Sequence, residues 1–269
     1  MPHVLITGAT DGIGLETARQ LLTQGYTVVV HGRTEARATS ATDGLRERHG
    51  EASPIPVWGD LSRMQEVITL AAQVRAAVPS LDALVNNAGV YANQRALTED
   101  GFETTFAVNH FAHHLLTRLL VPLLEVAPAA RIVVVSSGTH HSGKIDLDDL
   151  TGNVGWTPYG AYSNSKLANV LFTRALAKRL ARTSITANAL HPGVIGTKLL
   201  RAGFGSGGAP ASQGARTSVF LASDPAPAKI SGKYFVDSRE TPSARVAQDE
   251  KTGEGLWAET ERLLKPYLG

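Results

Sequence analysis

"TGATDGIG" (7–14) is the stretch on which the fold turns. It follows a short apolar run, "HVLI" (3–6), and leads into residues 13–24, whose apolar positions recur at helical spacing. Gly8, Gly12 and Gly14 permit a tight turn and let a ligand approach the main chain closely. Free N–H groups at a helix start, with the helix dipole, suit a pyrophosphate. A glycine loop by itself would also serve an ordinary turn. A strand before it and a helix after it are the setting that a dinucleotide site requires. The spacing is Gly-x3-Gly-x-Gly, not the more familiar Gly-x-Gly-x2-Gly.

Outward from this loop the pattern repeats. "TVVV" (27–30), "IPVW" (55–58), "ALV" (83–85), "RIVVV" (131–135), "SITANAL" (184–190) and "KYFV" (233–236) read as further strands. Helical patterns occupy 62–78, 98–126, 160–181 and 211–223, and a closing helix is expected over roughly 254–265. Such alternation predicts an α/β protein with a mostly parallel, doubly wound sheet of seven strands flanked by helices. The strands lack strict polar alternation, as expected where both faces are covered. No linker and no internal repeat divides the chain, so residues 1–269 are expected to form one domain. "RAGFGSGGAP" (201–210) reads as a surface loop, or as a lid if a pocket lies beside it.

Composition narrows the function. The 269 residues are 43% hydrophobic and 19% charged, an ordinary balance for a compact protein. With no cysteine, a disulfide framework, a zinc-thiolate site and a cysteine nucleophile are excluded. The formal net charge is +2 and there is no Lys/Arg run, so no nucleic-acid partner is expected. The start, "MPHVLITGATDGIG", does not resemble a signal peptide. The longest apolar stretches fall short of a membrane span. The expectation is a soluble, cytoplasmic protein with no membrane partner.

The end of the second strand usually selects the dinucleotide. An acidic residue there would bond a ribose 2′-hydroxyl, and an arginine suits a 2′-phosphate. The chain reads "VVVHGRTEAR" (28–37), with Arg33 and no acid at the strand end. A guanidinium matches phosphate geometry, so NADP(H) is preferred and NAD(H) stays possible. Asp11 in the loop and Glu35 after Arg33 argue the other way.

"AYSNSK" (161–166) carries the chemistry. Tyr162 and Lys166 are four apart and share a helix face. A tyrosine of pKa about 10 is a poor base near neutrality, and a nearby ammonium should lower that value. The spacing therefore makes a tuned proton donor and acceptor. Many helices carry such a pair as surface neighbours, so the context decides. "RIVVVSS" (131–137) ends in two serines at the carboxyl edge, where open α/β sheets build their sites. If the strand continues, Ser136 and Ser137 point to opposite faces and only one can serve. "NNAG" (86–89) follows the fourth strand, Asn109 interrupts a helical pattern, and "HPG" (191–193) ends the sixth strand.

In this order and spacing, the motifs resemble the short-chain dehydrogenase/reductase family from residue 7 to about residue 200. "VNHFAHHLLTRLL", "VVVSSGTHHSGKIDLDDL", "YSNSKLANVLFTRAL" and "SGKYFVDSRE" are similar to the retinol dehydrogenases and WW-domain oxidoreductases within it. The resemblance implies a Rossmann-like fold and an oxidoreductase that moves hydride between a nicotinamide and an alcohol or carbonyl substrate. It implies Tyr162 as general acid/base and Lys166 as its tuner and ribose ligand. Ser137 would orient the substrate oxygen, and Asn109 would hold a water that links Lys166 to solvent. For the cofactor it implies Gly8, Asp11, Gly12, Ile13 and Gly14 at the pyrophosphate and Arg33 at the adenosine phosphate. Asp60 and Leu61 would flank the adenine, with Asn87, Ala88 and Gly89 beside its ribose. Pro192, Gly193, Ile195 and Thr197 would cup the nicotinamide. NADP-dependent members often carry a basic or small polar residue where this chain has Asp11.

A substrate loop is expected at about 194–212, with a pocket drawing Tyr91, His140, Trp156, Leu199, Leu200 and Phe204 into a lipophilic or aromatic-tolerant site. His110, His113 and His114 have no acidic partner in an HExxH pattern, so no metal is expected and they read as packing residues. The stripe Leu167, Val170, Leu171 and Ala175 reads as core or subunit interface, compatible with a homodimer or homotetramer. Two other readings stay open: a non-catalytic NAD(P)-binding sensor or scaffold, and an NAD-preferring alcohol dehydrogenase.

Overall fold

The computed structural model describes residues 1–49, 54–205 and 207–268. One sheet runs through the chain. Its strands are β1 (His3–Ile6), β2 (Thr27–Gly32), β3 (Ile55–Trp58), β4 (Ala83–Asn86), β5 (Arg131–Val135), β6 (Thr186–His191), β7 (Tyr234–Val236) and β8 (Arg239–Glu240), in the order β3-β2-β1-β4-β5-β6-β7-β8. The first seven are parallel, and β8 returns antiparallel to β7. The eighth strand is an addition to the expected seven. It is two residues long and follows a hairpin turn at Asp237 and Ser238, both at positive φ (49° and 59°).

Each strand sends alternate side chains to opposite faces. Leu5, Val29, Leu84 and Ile132 lie on one face, and Val4, Val28, Val85 and Val133 on the other. The first face is covered by α3 (Met64–Ala77), α5 (Ala112–Glu125), α6 (Pro158–Arg179) and α9 (Glu250–Leu268). The second is covered by α1 (Gly12–Thr23), α2 (Glu35–His49) and α8 (Ala211–Ser223). Two short helices, α4 (Thr104–Phe106) and α7 (Lys198–Phe204), complete the set. The order reverses between β1 and β4, which opens a crevice at the carboxyl ends of those strands.

Four helices depart from the sequence reading. α7 runs into the stretch 201–210, which reads as a loop. α2 carries few apolar residues, with Leu45 the one large buried side chain among those described, so helical periodicity does not reveal it. The stretch 98–126 is not one helix. Leu97 and Glu103 form a β-bridge, and Glu103 caps the first turn by accepting from the Phe106 N–H at 2.8 Å. A π-helical turn, Ala107–Phe111, then leads into α5. α9 begins at Glu250 because Asp249 caps it, accepting from the Thr252 N–H at 2.8 Å.

α9 lies across α5 and α6. Trp257 stacks on Phe172 with centroids 5.8 Å apart, and the Arg179 guanidinium sits 4.0 Å from the Trp257 ring centre. His114 Nε2 meets Glu261 Oε1 at 2.8 Å. Leu256, Trp257 and Leu264 are buried here, each contributing roughly 1.5–3 kcal/mol. The stripe Leu167, Val170, Leu171 and Ala175 is therefore core within one chain.

Candidate active site

Sequence dictates how tightly the first crevice wall is drawn. Gly8 and Gly12 sit at positive φ, 64° and 55°. At Gly14 a Cβ would lie 2.3 Å from the Gly8 carbonyl oxygen and 2.5 Å from Asn87 Nδ2, so only glycine fits. Asn87 Nδ2 donates to the carbonyls of Thr7 (2.8 Å) and Gly8 (3.3 Å). The Thr7 hydroxyl accepts from the N–H groups of Asn87 (2.9 Å) and Ala88 (3.0 Å). Its oxygen lies 2.9 Å from His113 Nε2, and His113 Nδ1 lies 3.1 Å from the Asn109 carbonyl. A carbonyl only accepts, so Nδ1 carries the proton and Nε2 accepts from Thr7.

His31 performs a similar service on the other side. The Gly8 N–H donates to His31 Nδ1 at 3.0 Å, and His31 Nε2–H donates to the Gly59 carbonyl at 2.9 Å. Burial pushes this imidazole down to about 4, and His113 down to about 3, so both stay neutral near pH 7. Neither residue was assigned a site role from sequence. The available signal for His31 was a polar residue inside the apolar run "VVVHG", since a buried polar group needs partners.

These contacts frame a crevice of about 440 Å³. It is lined by Gly8, Asp11, Gly12, Ile13, Gly14, Arg33, Asp60, Leu61, Asn87, Ala88, Gly89 and Thr197, which brings together most of the residues assigned to the cofactor. Arg37, not singled out from sequence, joins Arg33 on its wall. Both arginines are exposed, and neither pairs with a carboxylate among the described residues. Asp11 caps α1 by accepting from the Gly12 N–H at 2.8 Å, and its other oxygen meets Lys198 Nζ at 2.6 Å. That bond to Lys198, on the far side of the crevice, holds the carboxyl below its ordinary range. The acid in the loop is thus matched by a lysine from α7. Asp60 Oδ1 accepts from the N–H and hydroxyl of Ser62 (2.9 and 2.8 Å), which shapes the turn after β3.

The second chamber adjoins the first and has a volume of about 310 Å³. Ser137, Tyr162 and Lys166 line it together with Pro192, Gly193, Ile195 and Thr197, while Ile13, Asn87 and Gly89 border both chambers. Ser136 turns away: its hydroxyl donates to the Lys166 carbonyl at 2.7 Å. Both serines border the chamber, but Ser137, which caps the following turn by accepting from the Thr139 N–H at 3.2 Å, is the one whose hydroxyl reaches Tyr162. Lys166 Nζ donates to the Val135 carbonyl at 3.0 Å and lies 5.6 Å from the Tyr162 ring centre.

The expected lowering of the Tyr162 pKa is not found. Burial pushes the phenol up to about 12, only partly opposed by the Ser137 hydroxyl, and pushes the Lys166 ammonium down to about 8. Among the chain's own groups, desolvation outweighs the charge of the neighbouring amine. Asn109 is held by its neighbours on both sides. Its Oδ1 accepts from the Val90 N–H (2.8 Å), and its Nδ2 donates to the Val90 carbonyl (3.1 Å) and Ser165 Oγ (2.9 Å). The side chain ties the "NNAG" loop to α6. Gly89 runs between the two groups: a Cβ on it would lie 3.4 Å from Lys166 Nζ and 3.5 Å from Asn109 Oδ1.

The loop after β6 roofs the chamber. Its base is closed by the Gly196 N–H donating to the Ala209 carbonyl (2.9 Å) and the Ala209 N–H donating to Val194 (2.8 Å). Ser206 of this loop lies outside the described residues. Leu199, Leu200 and Phe204 face inward, and Phe204 approaches Tyr162 (5.8 Å) and Tyr91 (5.3 Å) between ring centres. Two expected pocket residues are elsewhere. His140 is fully buried behind Ser137, and Trp156 borders a separate cavity of about 110 Å³ beside Glu103. His191 enters in their place as a polar edge of the chamber. His110 and His114 pack under α9, with His110 Nε2 3.1 Å from Thr260 Oγ1.

The crevice fits a dinucleotide: its glycines clear room along the loop, and the exposed Arg33 and Arg37 stand on its wall. Comparison with known proteins agrees. The family model described as short chain dehydrogenase matches residues 2–204. Human retinol dehydrogenase 14 is 40% identical over 288 residues, covering 97% of this chain and 85% of its own. Human retinol dehydrogenase 12 is 40% identical with the same coverage, and mouse polyprenol dehydrogenase is 39% identical, covering 96% and 82%. A crystal structure of an uncharacterized protein from Mycobacterium paratuberculosis superposes with a TM-score of 0.81 at 34% identity, covering 98% and 94%. A short chain dehydrogenase from Shigella flexneri, complexed with NADP, superposes with a TM-score of 0.70 at 25% identity, covering 88% and 97%. The chain belongs to the short-chain dehydrogenase family, in its retinol dehydrogenase-like branch, and is a nicotinamide-dependent oxidoreductase of alcohol and carbonyl groups.

Proposed function

We propose that this oxidoreductase prefers NADP(H) and acts on lipophilic carbonyl compounds and their alcohols, isoprenoid aldehydes foremost. The observation that carries the reading is the second chamber: Ser137, Tyr162 and Lys166 meet at one end of a mainly apolar space roofed by Leu199, Leu200 and Phe204. NADP(H), when bound, supplies or takes up the hydride. Gly8, Asp11, Gly12, Ile13 and Gly14 would hold its pyrophosphate, and Arg33 with Arg37 its adenosine phosphate. Asp60 and Leu61 would flank the adenine, and Asn87, Ala88 and Gly89 the adjoining ribose. Pro192, Gly193, Ile195 and Thr197 would hold the nicotinamide end.

The Ser137 hydroxyl donates to the substrate oxygen and fixes its position. The Tyr162 phenol gives its proton to that oxygen in reduction and takes it back in oxidation. Lys166 would bind the ribose hydroxyls, and its ammonium supports the phenolate left behind. Asn109 holds Val90 and Ser165, and so the spacing between the "NNAG" loop and α6. A phenol pushed up to about 12 stays protonated near neutrality, which is the form that reduction uses. The relatives' names, retinol and polyprenol dehydrogenase, denote long isoprenoid alcohols and point to the same substrate class.

The test is NADPH and NADH consumption with all-trans-retinal, a prenyl aldehyde and aromatic aldehydes, with the alcohols run in reverse. Turnover should favour NADPH and the longer apolar aldehydes. Tyr162→Phe should retain NADPH binding by fluorescence titration and lose turnover about 100-fold or more. NADPH binding with no turnover of any carbonyl would instead make the protein a cofactor-binding sensor. Equal use of NADH would remove the role given to Arg33.

A further inference from the structure

We infer that His140 is a positioning residue for Ser137, linking that serine's backbone to the segment between β8 and α9. The inference rests on the role of Ser137 proposed above. Ser137 lies just beyond the end of β5, where sheet pairing stops: the Ser136 N–H still pairs with the Leu190 carbonyl (2.8 Å). The Ser137 carbonyl then meets three donors. They are the His140 backbone N–H at 3.2 Å, His140 Nδ1–H at 2.7 Å and the Tyr234 hydroxyl at 3.5 Å. The ring nitrogen makes the shortest of these contacts.

The far side of the same ring accepts. The Ala244 N–H donates to His140 Nε2 at 3.0 Å. A peptide N–H can only donate and a carbonyl can only accept, so one tautomer satisfies both contacts: Nδ1 protonated, Nε2 bare. The ring is fully buried between His141 (centroids 4.1 Å) and Tyr234 (4.6 Å), which leaves it no other partner. Phenylalanine would fill this space and satisfy neither contact. The carbonyl that His140 holds belongs to the residue whose hydroxyl must face the substrate oxygen. Release of that peptide lets the hydroxyl drift, and small misplacements of a reacting geometry are costly.

The experiment compares His140→Phe, His140→Asn, His140→Gln, Ser137→Ala and the Ser137→Ala/His140→Phe double variant. Each is assayed with NADPH and all-trans-retinal, or whichever aldehyde of the panel turns over best. His140→Phe should lower kcat about tenfold or more while KM for NADPH stays within about twofold. The shorter amide of asparagine can donate where Nδ1–H stands and should restore most of kcat. The glutamine amide reaches toward Ala244 instead and should not. In the Ser137→Ala background the His140→Phe change should cost no further kcat, because both act on one group. If His140→Phe does not fold, the asparagine–glutamine contrast decides.

Full kcat in folded His140→Phe, equal kcat in the asparagine and glutamine variants, or multiplicative losses in the double variant would each overturn the inference. Full kcat in Ser137→Ala would overturn the reading of the site and this inference with it. An inactive Ser137→Ala beside an active His140→Phe would overturn this inference alone.

Discussion

Acidification from pH 7 to pH 5 should strip this protein of much of its stability, because several histidines are buried neutral. His31, His113 and His140 are pushed down to about 4, about 3 and about 4, in each case chiefly by burial. In the unfolded chain each would titrate near 6.5. Below that value the unfolded state binds more protons than the folded state, so stability falls as pH falls. It is fully present above pH 6.5 and drains away toward pH 4. Each of the three loses about 2 kcal/mol between pH 7 and pH 5, or about 6 kcal/mol together. His110, His114 and His191 are shifted in the same direction. A domain's whole stability is about 5–15 kcal/mol, so the loss should be easy to see. Urea denaturation followed by circular dichroism at pH 7, 6 and 5 measures it, with a steepest slope of about 4 kcal/mol per pH unit between 6 and 5. NADPH affinity should fall alongside, since His31 accepts from Gly8 and His113 from Thr7. A denaturation midpoint that stays level from pH 7 to pH 5 would refute the reasoning.

Replacing Arg33 and Arg37 together by serine should weaken NADPH about 10- to 100-fold and leave NADH unchanged, from the strength of charged hydrogen bonds; titration of both cofactors checks this, and equal losses would count against it. Gly14→Ala places a methyl 2.3 Å from the Gly8 carbonyl oxygen, so NADPH binding should be lost and stability should drop about 1–3 kcal/mol. By contrast Gly44→Ala, in α2 with nothing within 4 Å of the new methyl, should raise thermal stability by about 0.5–1 kcal/mol. Trp257→Ala should cost about 3–5 kcal/mol in urea denaturation, since it removes the ring that stacks on Phe172. A loss below about 1 kcal/mol would mean that α9 is held by other contacts.

The parallel strands were legible because each is a short apolar run beside a helical pattern, and "TGATDGIG" places the crevice between two of them. β8 was not, since two residues such as Arg239 and Glu240 carry no periodicity. α2 escaped for a related reason: a helix seated on little more than Leu45 shows no apolar stripe. Tyr162, Lys166 and Ser137 could be read from spacing, because the fold converts strand ends and helix turns into neighbours. Spacing does not report what a histidine meets across the sheet. His31 depends on Gly8 and Gly59, His113 on Thr7, and His140 on Ala244, more than 100 residues away. The direction of the Tyr162 shift failed for another reason. The sign of the Lys166 charge is written in the chain, but the depth at which both groups are buried is not.

The seating of α9 bears on how the chain is made. Synthesis delivers it after every surface that it covers. The sheet and α6 can therefore assemble while Phe172, Leu171 and the ring of His114 still face water. During that interval the chain presents an apolar flank, and a second such flank on another nascent chain is its natural wrong partner. The nineteen residues of α9 cover that flank in the folded chain. A protease cut between Glu240 and Glu250 would be expected to drive the protein into aggregates while its crevice remained intact.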